Sequence, residues 1–362
     1  MPSLAYTDHR ADPQAWAHAL HVSREAIDLY LSCDVIDLHV DSFIWTRSYQ
    51  YDLTRSHGRG LFGARLYSQV DLPRAREAHL TGAIWVITTN PLRTGRGRAD
   101  VFVRNIERLR SILASCADDV VVVRTVRDYR SAVASGKHAA WIGIQGGNAL
   151  EWGENGANDS LDRIPDGLIV RITLVHLYNS QLGITSTPGV FGLQSGGLSA
   201  KGRTFVERLD EKRIFVDLAH INRQSFFDAV EAHDKSLPLI VTHTGVAGVH
   251  PHWRNLDDAQ LRAIADTGGT IGIMYHRPFL GGDQRAARIV DHMEHVIAAV
   301  GDDFVSLGSD WDGAITTPRD MQTCLELPKL VQIMLDRRWP EERIRKALGG
   351  NFLRALRLLR GE

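Results

Sequence analysis

The stretch VIDLHVDSFIW, Val35–Trp45, begins as an apolar run and then presents His39 and Asp41 two residues apart. In an extended strand residues i and i+2 share a face, so both side chains are expected to project together at the end of a buried strand. Similar runs recur along the chain. After Val35–Val40 come Gly82–Thr88 (GAIWVIT), Val120–Val123, Ala139–Gln145 (AAWIGIQ), Ile169–His176 (IVRITLVH) and Ile214–His220 (IFVDLAH). Leu239–His243 (LIVTH), Thr270–Tyr275 (TIGIMY) and Phe304–Asp310 (FVSLGSD) complete the set. Continuous apolar runs of this length suit parallel strands covered on both faces.

Helix signals fill the gaps. In NLDDAQLRAIADTGG, Asn255 is the expected N-cap, Asp258 sits three residues on, and Gly268–Gly269 stop the helix. In RRWPEERIRKALGGNF, Pro340 suits the first turn, Glu341 and Glu342 follow it, and Gly349–Gly350 are expected to end it. Strand–helix alternation repeated about eight times predicts an α/β fold of the (β/α)8 TIM-barrel type rather than a doubly wound sheet. The runs outnumber the strands of such a barrel by one, and Val120–Val123 is the weakest. No Pro/Ser-rich linker, charge block or repeat divides the chain. One barrel domain over 1–362 is therefore expected, with a helical lead-in over about 1–33 and a C-terminal helix over about 351–360.

With 362 residues, 44 % apolar and 23 % charged, the composition is that of a globular protein. A net charge of −1 argues against a broad basic surface for nucleic acid. Cys33, Cys116 and Cys324 are too scattered for a disulfide framework or a zinc ribbon and read as small buried hydrophobes. The segment MPSLAYTDHRADPQAWAHAL lacks the basic-then-apolar order of a signal peptide, and no uncharged apolar run approaches the ~20 residues of a membrane helix. A soluble cytoplasmic protein without nucleic-acid or membrane partners is the expectation.

Several runs end in a residue able to bind a metal or move a proton: His39 with Asp41, Gln145, His176, His220, His243 and Asp310. In a barrel all strand C-termini open on one rim, so residues far apart in sequence converge there. One strand-end histidine is ordinarily a hydrogen-bonded structural residue. Four histidines and two aspartates in the same register are hard to explain by packing. Imidazole and carboxylate are ligands for zinc, manganese or iron, and a catalytic site keeps one position open. Competing patterns are weak: GGLSAKG lacks the Gly-x-Ser-x-Gly spacing, no cysteine sits beside a plausible base, and GVFGLQSGG follows no strand.

Taken in order, VIDLHVDS, VDLPRAREAHLTGAIW, GIQGG, ITLVHLYNS, GLSAKGRTFVERLDEKRIFVDLAHI, LIVTHTG, HPHWRNL, SLGSDWDG and LGGNFLRAL carry a resemblance. From about Ser23 to Arg357 the chain resembles the membrane (renal-type) dipeptidase family of the metal-dependent amidohydrolase superfamily. The resemblance implies a barrel with divalent metal, zinc first, at its rim. His39 and Asp41 would serve one ion, His220 and His243 the other. His176 looks like the family histidine that binds substrate and steadies the oxyanion. Arg254 resembles the arginine that grips the substrate's terminal carboxylate, and Asp310 the carboxylate that handles the proton of the attacking water. Either Tyr275 or His276 falls where the family has a substrate-side tyrosine. A small dipeptide-like substrate and a homodimer are the implied partners.

The chain departs from the family at Gln145, where a bridging Glu would stand. An amide keeps an acceptor oxygen, but its nitrogen is a donor and cannot ligate a cation. Two dications ~3.5 Å apart repel by roughly 19 kcal/mol at an effective dielectric of ~20, and Gln145 removes one anion that would offset this. Glu151 and Glu154 lie too far beyond the strand end to replace it without a bent loop. Three outcomes follow: two ions with the second weak; one ion on His39, Asp41 and Asp310 helped by His220; or none. The expected function is a metal-dependent hydrolase cleaving a dipeptide or related small amide with metal-activated water. The alternatives are a mononuclear hydrolase of a lactone or N-acyl amino acid, and a degenerate barrel that binds or scaffolds. Gln145→Glu is expected to raise metal content if only the bridge is missing.

Other polar residues read more plainly. His292 and His295, three apart on an expected helix, suit a solvated face. His250 and His252 flank a proline in the loop leading to Arg254. RTGRGRAD, with Arg93, Arg96 and Arg98, reads as an exposed loop, and Asp312 as a brace for the turn after Asp310. Ile184–Gly197 departs from the family where a substrate-shaping loop is expected.

Overall fold

The structure, a computed structural model, describes residues 3–60, 62–88, 95–150, 160–188 and 195–362. Its strands are β1 (Ile36–Val40), β2 (Gly82–Thr88), β3 (Val120–Val122), β4 (His138–Gln145) and β5 (Ile169–Thr173). They continue with β6 (Phe215–Asp217), β7 (Ile240–Thr244), β8 (Thr270–Ile273) and β9 (Val305–Leu307). All pairings are parallel, in the order β2-β1-β9-β8-β7-β6-β5-β4-β3, and a further β2–β4 pairing closes the ring. The chain therefore forms a closed eight-stranded (β/α)8 TIM barrel with helices around it.

The extra strand is β3. It pairs with His138–Ala140 at the start of β4, whereas Ile142–Gln145 at its end pair with β5. The sheet branches there, because β4 is long enough to hold a different neighbour on each half of one edge. Only β3 is part-exposed; the eight barrel strands are buried throughout, which is why they read as unbroken apolar runs.

The barrel end where the strands begin is sealed by the last helix, Asn351–Arg360. Phe352 packs edge-on against Trp141 at 5.1 Å. Arg354 and Arg360 donate to the carbonyls that precede or open β8, β9, β6 and β5, including those of Gly269, Asp303, Arg213 and Ile169. The opposite rim is left for a site. At the N-terminal side, helices Pro13–Leu20 and Arg24–Leu31 are capped by Asp12 and Ser23. No helix among the described residues is long and apolar enough to cross a membrane.

Three local expectations need correction. Helix Asp258–Ala265 is capped by Asp257, not Asn255, in a reciprocal box with Gln260. Asn255 instead donates to the carbonyls of His250 and Phe279, at 2.8 and 2.9 Å, and so ties down the loop before it. Gly349–Gly350 do not end a helix: Glu341–Arg345 passes through a π-turn at Lys346–Gly350 into the last helix. A Cβ on Gly349 would lie 2.6 Å from the Asp34 carbonyl oxygen, so close packing rather than termination explains that glycine.

The third concerns His292, which is fully buried rather than solvated. Its Nδ1 accepts from the Val246 N–H at 2.9 Å and its Nε2 donates to the Leu280 carbonyl at 3.1 Å. Burial lowers its pKa to about 4, so it stays neutral and able to play both roles. His292→Ala strands both backbone groups and is expected to lower folding stability by about 1–3 kcal/mol, read as a shifted urea midpoint. His295, on the same helix, meets Asp258 at 2.8 Å and is part-exposed.

Candidate metal centre

Seven of the eight barrel strands deliver a polar side chain to one cluster, at or just beyond their C-terminal ends. His39 is the penultimate residue of β1, Thr88 the last of β2, Gln145 the last of β4, and His243 lies within β7. His176, His220 and Asp310 each stand three residues beyond β5, β6 and β9. His220 and Asp310 take left-handed backbone angles, φ 65° and 64°. That conformation costs roughly 1–2 kcal/mol per residue for side chains with a Cβ. It is held because the turn aims each side chain back over the barrel mouth.

There they meet. His39 Nε2 lies 3.1 Å from Gln145 Oε1 and 3.6 Å from both Asp41 Oδ2 and Asp310 Oδ1. Gln145 Nε2 lies 3.0 Å from His220 Nε2 and 3.4 Å from His243 Nε2, which are themselves 2.8 Å apart. Thr88 places its hydroxyl between Asp41 and Gln145. The Gln145 amide thus occupies the middle of the constellation. The His176 ring stands edge-on to His220 at 4.7 Å, and Arg254 donates to the His243 carbonyl at 2.7 Å.

Above this cluster opens a cavity of 690 Å³ lined by Asp41, Gln145, His176, His220, Arg254, His276 and Asp310, with Trp45, Arg47, Trp253 and Phe279 on its walls. The register left open after β8 is settled for position: His276 lines the cavity. Tyr275 is fully buried, edge-on to Trp311 at 5.1 Å, and does not line it. Asp312 braces the rim, accepting from the Ser42 hydroxyl at 2.6 Å and from the Gln69 N–H at 2.7 Å. His250 and His252 stay off the cavity wall, and Arg98 donates to the Asn148 carbonyl. Glu151, Glu154, Arg93, the Arg96 side chain and residues 189–194 of the Ile184–Gly197 segment lie outside the described residues.

Beneath the cluster lies a layer that sequence reading missed. Arg171 is completely buried inside the barrel and pairs with Asp217 at 3.2 Å. It also donates to Thr173 Oγ1 at 2.6 Å, to the Ile144 carbonyl at 2.9 Å and to His39 Nδ1 at 2.6 Å. Asp217 accepts from the hydroxyls of Thr173 and Thr242, at 2.6 and 2.7 Å, and Thr242 Oγ1 in turn lies 2.9 Å from His243 Nδ1. The available signal was a charged residue inside each of two apolar runs, IVRIT and IFVDL. Charges seldom enter a buried strand unless they are paired.

Burial dominates the electrostatics. It lowers the pKa of His176 to about 4 and those of His220 and His243 well below the usual value, helped by the positive charge of Arg254. It brings Arg254 down to about 10. Asp310 is pushed well up by burial and then by the neighbouring Asp41 charge. Burial raises Asp41 too, but bonding to His39 and Thr88 outweighs it and leaves that carboxyl low.

These residues fit a divalent cation on one side of the cluster. Two neutral imidazole nitrogens 2.8 Å apart, with Asp310 short of positive charge, form a donor set that a cation satisfies. His39, His243 and Asp310 also bring one potential ligand atom each within 4.8 Å of one another.

Comparison with known proteins agrees with this architecture. A Klebsiella pneumoniae protein described as "uncharacterized protein in pqqA 5' region" is 35 % identical over 167 residues, which cover 44 % of this chain and 60 % of that protein. The match thus spans less than two-thirds of that relative's length. The crystal structure of dipeptidase AC, a metallopeptidase of family M19, superposes with a TM-score of 0.78 at 25 % identity, covering 91 % of this chain and 100 % of that one. A Rhodobacter sphaeroides metallopeptidase liganded with a phosphinate mimic of the dipeptide L-Ala-D-Ala shares the fold. Its TM-score is 0.77 at 24 % identity, over 90 % of this chain and 99 % of that one. Residues 23–360 match the sequence profile of the membrane dipeptidase family, peptidase family M19, and the chain belongs to that family.

Proposed function

We propose that this protein is a metal-dependent hydrolase that cleaves the amide bond of a dipeptide or a closely related small amide. The observation that carries the reading is the convergence of neutral imidazoles and carboxylates beneath one cavity that also holds a buried arginine. His220, His243 and Asp310 would hold a divalent ion, with zinc first for this nitrogen and oxygen donor set. The ion, when bound, supplies Lewis acidity toward the carbonyl and lowers the pKa of water.

The chain's own groups do the rest. Asp310 takes a proton from the attacking water and returns it to the leaving amine, as base and then acid. His176, neutral through burial, donates to the oxygen on which charge develops, an interaction that strengthens toward the transition state. Arg254, buried and facing the cavity, pairs through its planar fork with a substrate carboxylate. A cavity of 690 Å³ suits a ligand of dipeptide size. The dipeptide mimic bound to the Rhodobacter sphaeroides relative supports the same substrate class. Three free, buried cysteines support a reducing, cytoplasmic setting.

The test is amine release from a panel of dipeptides by protein dialysed against zinc or manganese, with His243→Ala as control. Metal-dependent release is expected. A metal-loaded chain that cleaves none of them would remove the reading and favour a binding role, to which the amide at Gln145 points. Arg254→Met is expected to raise KM for a dipeptide by roughly 10- to 100-fold with a smaller change in kcat, the loss of one charged hydrogen-bonded contact. Equal KM values in steady-state assays would show that Arg254 does not hold the substrate.

A further inference from the structure

We infer that the chain closes one of two cation positions with its own hydrogen bonds. Arg171 and the Gln145 amide withdraw His39 from metal binding, and a single ion is held on the side of His243 and Asp310. This rests on the metal-dependent reading above and sets the number and place of the ions within it.

The direction of hydrogen bonds carries the inference. Arg171 is a donor only, and its Nη2 lies 2.6 Å from His39 Nδ1. Nδ1 must therefore accept, and the ring proton of neutral His39 sits on Nε2. That N–H faces three acceptors: Gln145 Oε1 at 3.1 Å and Asp41 Oδ2 and Asp310 Oδ1 at 3.6 Å each. A nitrogen carrying a proton has no lone pair for a metal. A ligating histidine needs the reverse, with the far nitrogen donating and the near one bare.

His243 has that reverse polarity. The Thr242 hydroxyl gives its one proton to Asp217 Oδ2 at 2.7 Å, so toward His243 Nδ1 at 2.9 Å it can only accept. His243 is thereby protonated on Nδ1 and bare on Nε2, the atom 2.8 Å from His220 Nε2. One buried carboxylate, Asp217, thus anchors both Arg171 and Thr242 and sets opposite polarities on two histidines of one site.

Gln145 fits the same pattern. Its oxygen accepts from His39 and its nitrogen lies toward His220 and His243, two roles a carboxylate cannot combine. The barrel is built around Arg171: a Cβ on Gly143 would lie 2.8 Å from Arg171 Nε, so a larger residue there would exclude it.

The experiment is elemental analysis of chelator-free protein dialysed against zinc, read beside the 15N–1H correlation pattern of the histidine rings. About one ion per chain is expected, with His39 protonated on Nε2 and His243 on Nδ1. His39→Gln, which keeps an acceptor for Arg171 and a donor toward Gln145, is expected to keep that ion, whereas His243→Gln loses it. Gln145→Glu alone is expected to stay at one, because His39 still presents its N–H. Two ions in the wild type, a His39 ring bare at Nε2, or loss of the ion in a folded His39→Gln variant overturns the inference while leaving the metal-dependent reading intact. No ion in the wild type overturns both.

Discussion

Arg171→Leu is expected to cost the barrel about 3–5 kcal/mol of folding stability, the penalty for leaving one member of a buried ion pair without its partner. Arg171 and Asp217 are both fully buried, 3.2 Å apart, in a barrel interior that leucine would not make more polar. Asp217 would keep its hydroxyl and backbone donors, from Thr173, Thr242 and Ala219, but no cation. His39 would lose its donor at Nδ1 as well. Urea unfolding of the purified variant reads the loss. Adding Asp217→Asn to Arg171→Leu removes the stranded charge and is expected to recover much of it. A cost below about 1 kcal/mol for the single variant would mean that no functional ion pair exists here, since surface-like pairs contribute that little.

Asp310→Asn is expected to lower kcat for a dipeptide by about 10²- to 10⁴-fold, the usual range for removing a positioned proton-transfer group. The substitution keeps size and the left-handed backbone position, which asparagine tolerates better than most residues. It removes the only group that the proposed chemistry uses to carry the proton from water to the leaving amine. Because Asp310 also contributes a ligand atom to the candidate centre, metal content is measured in the same preparations. Loss of rate with the ion retained supports the proton role. Full activity in Asp310→Asn would assign proton transfer to another group facing the cavity.

Much of this was legible in the sequence. The barrel is written in local terms: each run is apolar without interruption because a parallel strand buried on both faces admits little else, and helix caps and stops separate the runs. The convergence of His39, Gln145, His176, His220, His243 and Asp310 followed from one rule, that strand C-termini in a barrel share a rim. Arg254 was recognisable only through family resemblance, since a loop arginine has no periodicity to read.

What the sequence by itself determined is the fold, the family and the residue types gathered at the mouth, because these depend on patterns that neighbours along the chain encode. The weakest run, Val120–Val123, is the surplus one, and tertiary structure gives the reason: β2 bypasses β3 to pair with β4. Tertiary structure alone decided that His276 rather than Tyr275 reaches the cavity, through the turn taken beyond β8, and that His292 is buried. Above all it decided the polarity of His39. A ring nitrogen donates or accepts according to what faces it, and what faces this one is an arginine 132 residues away on another strand.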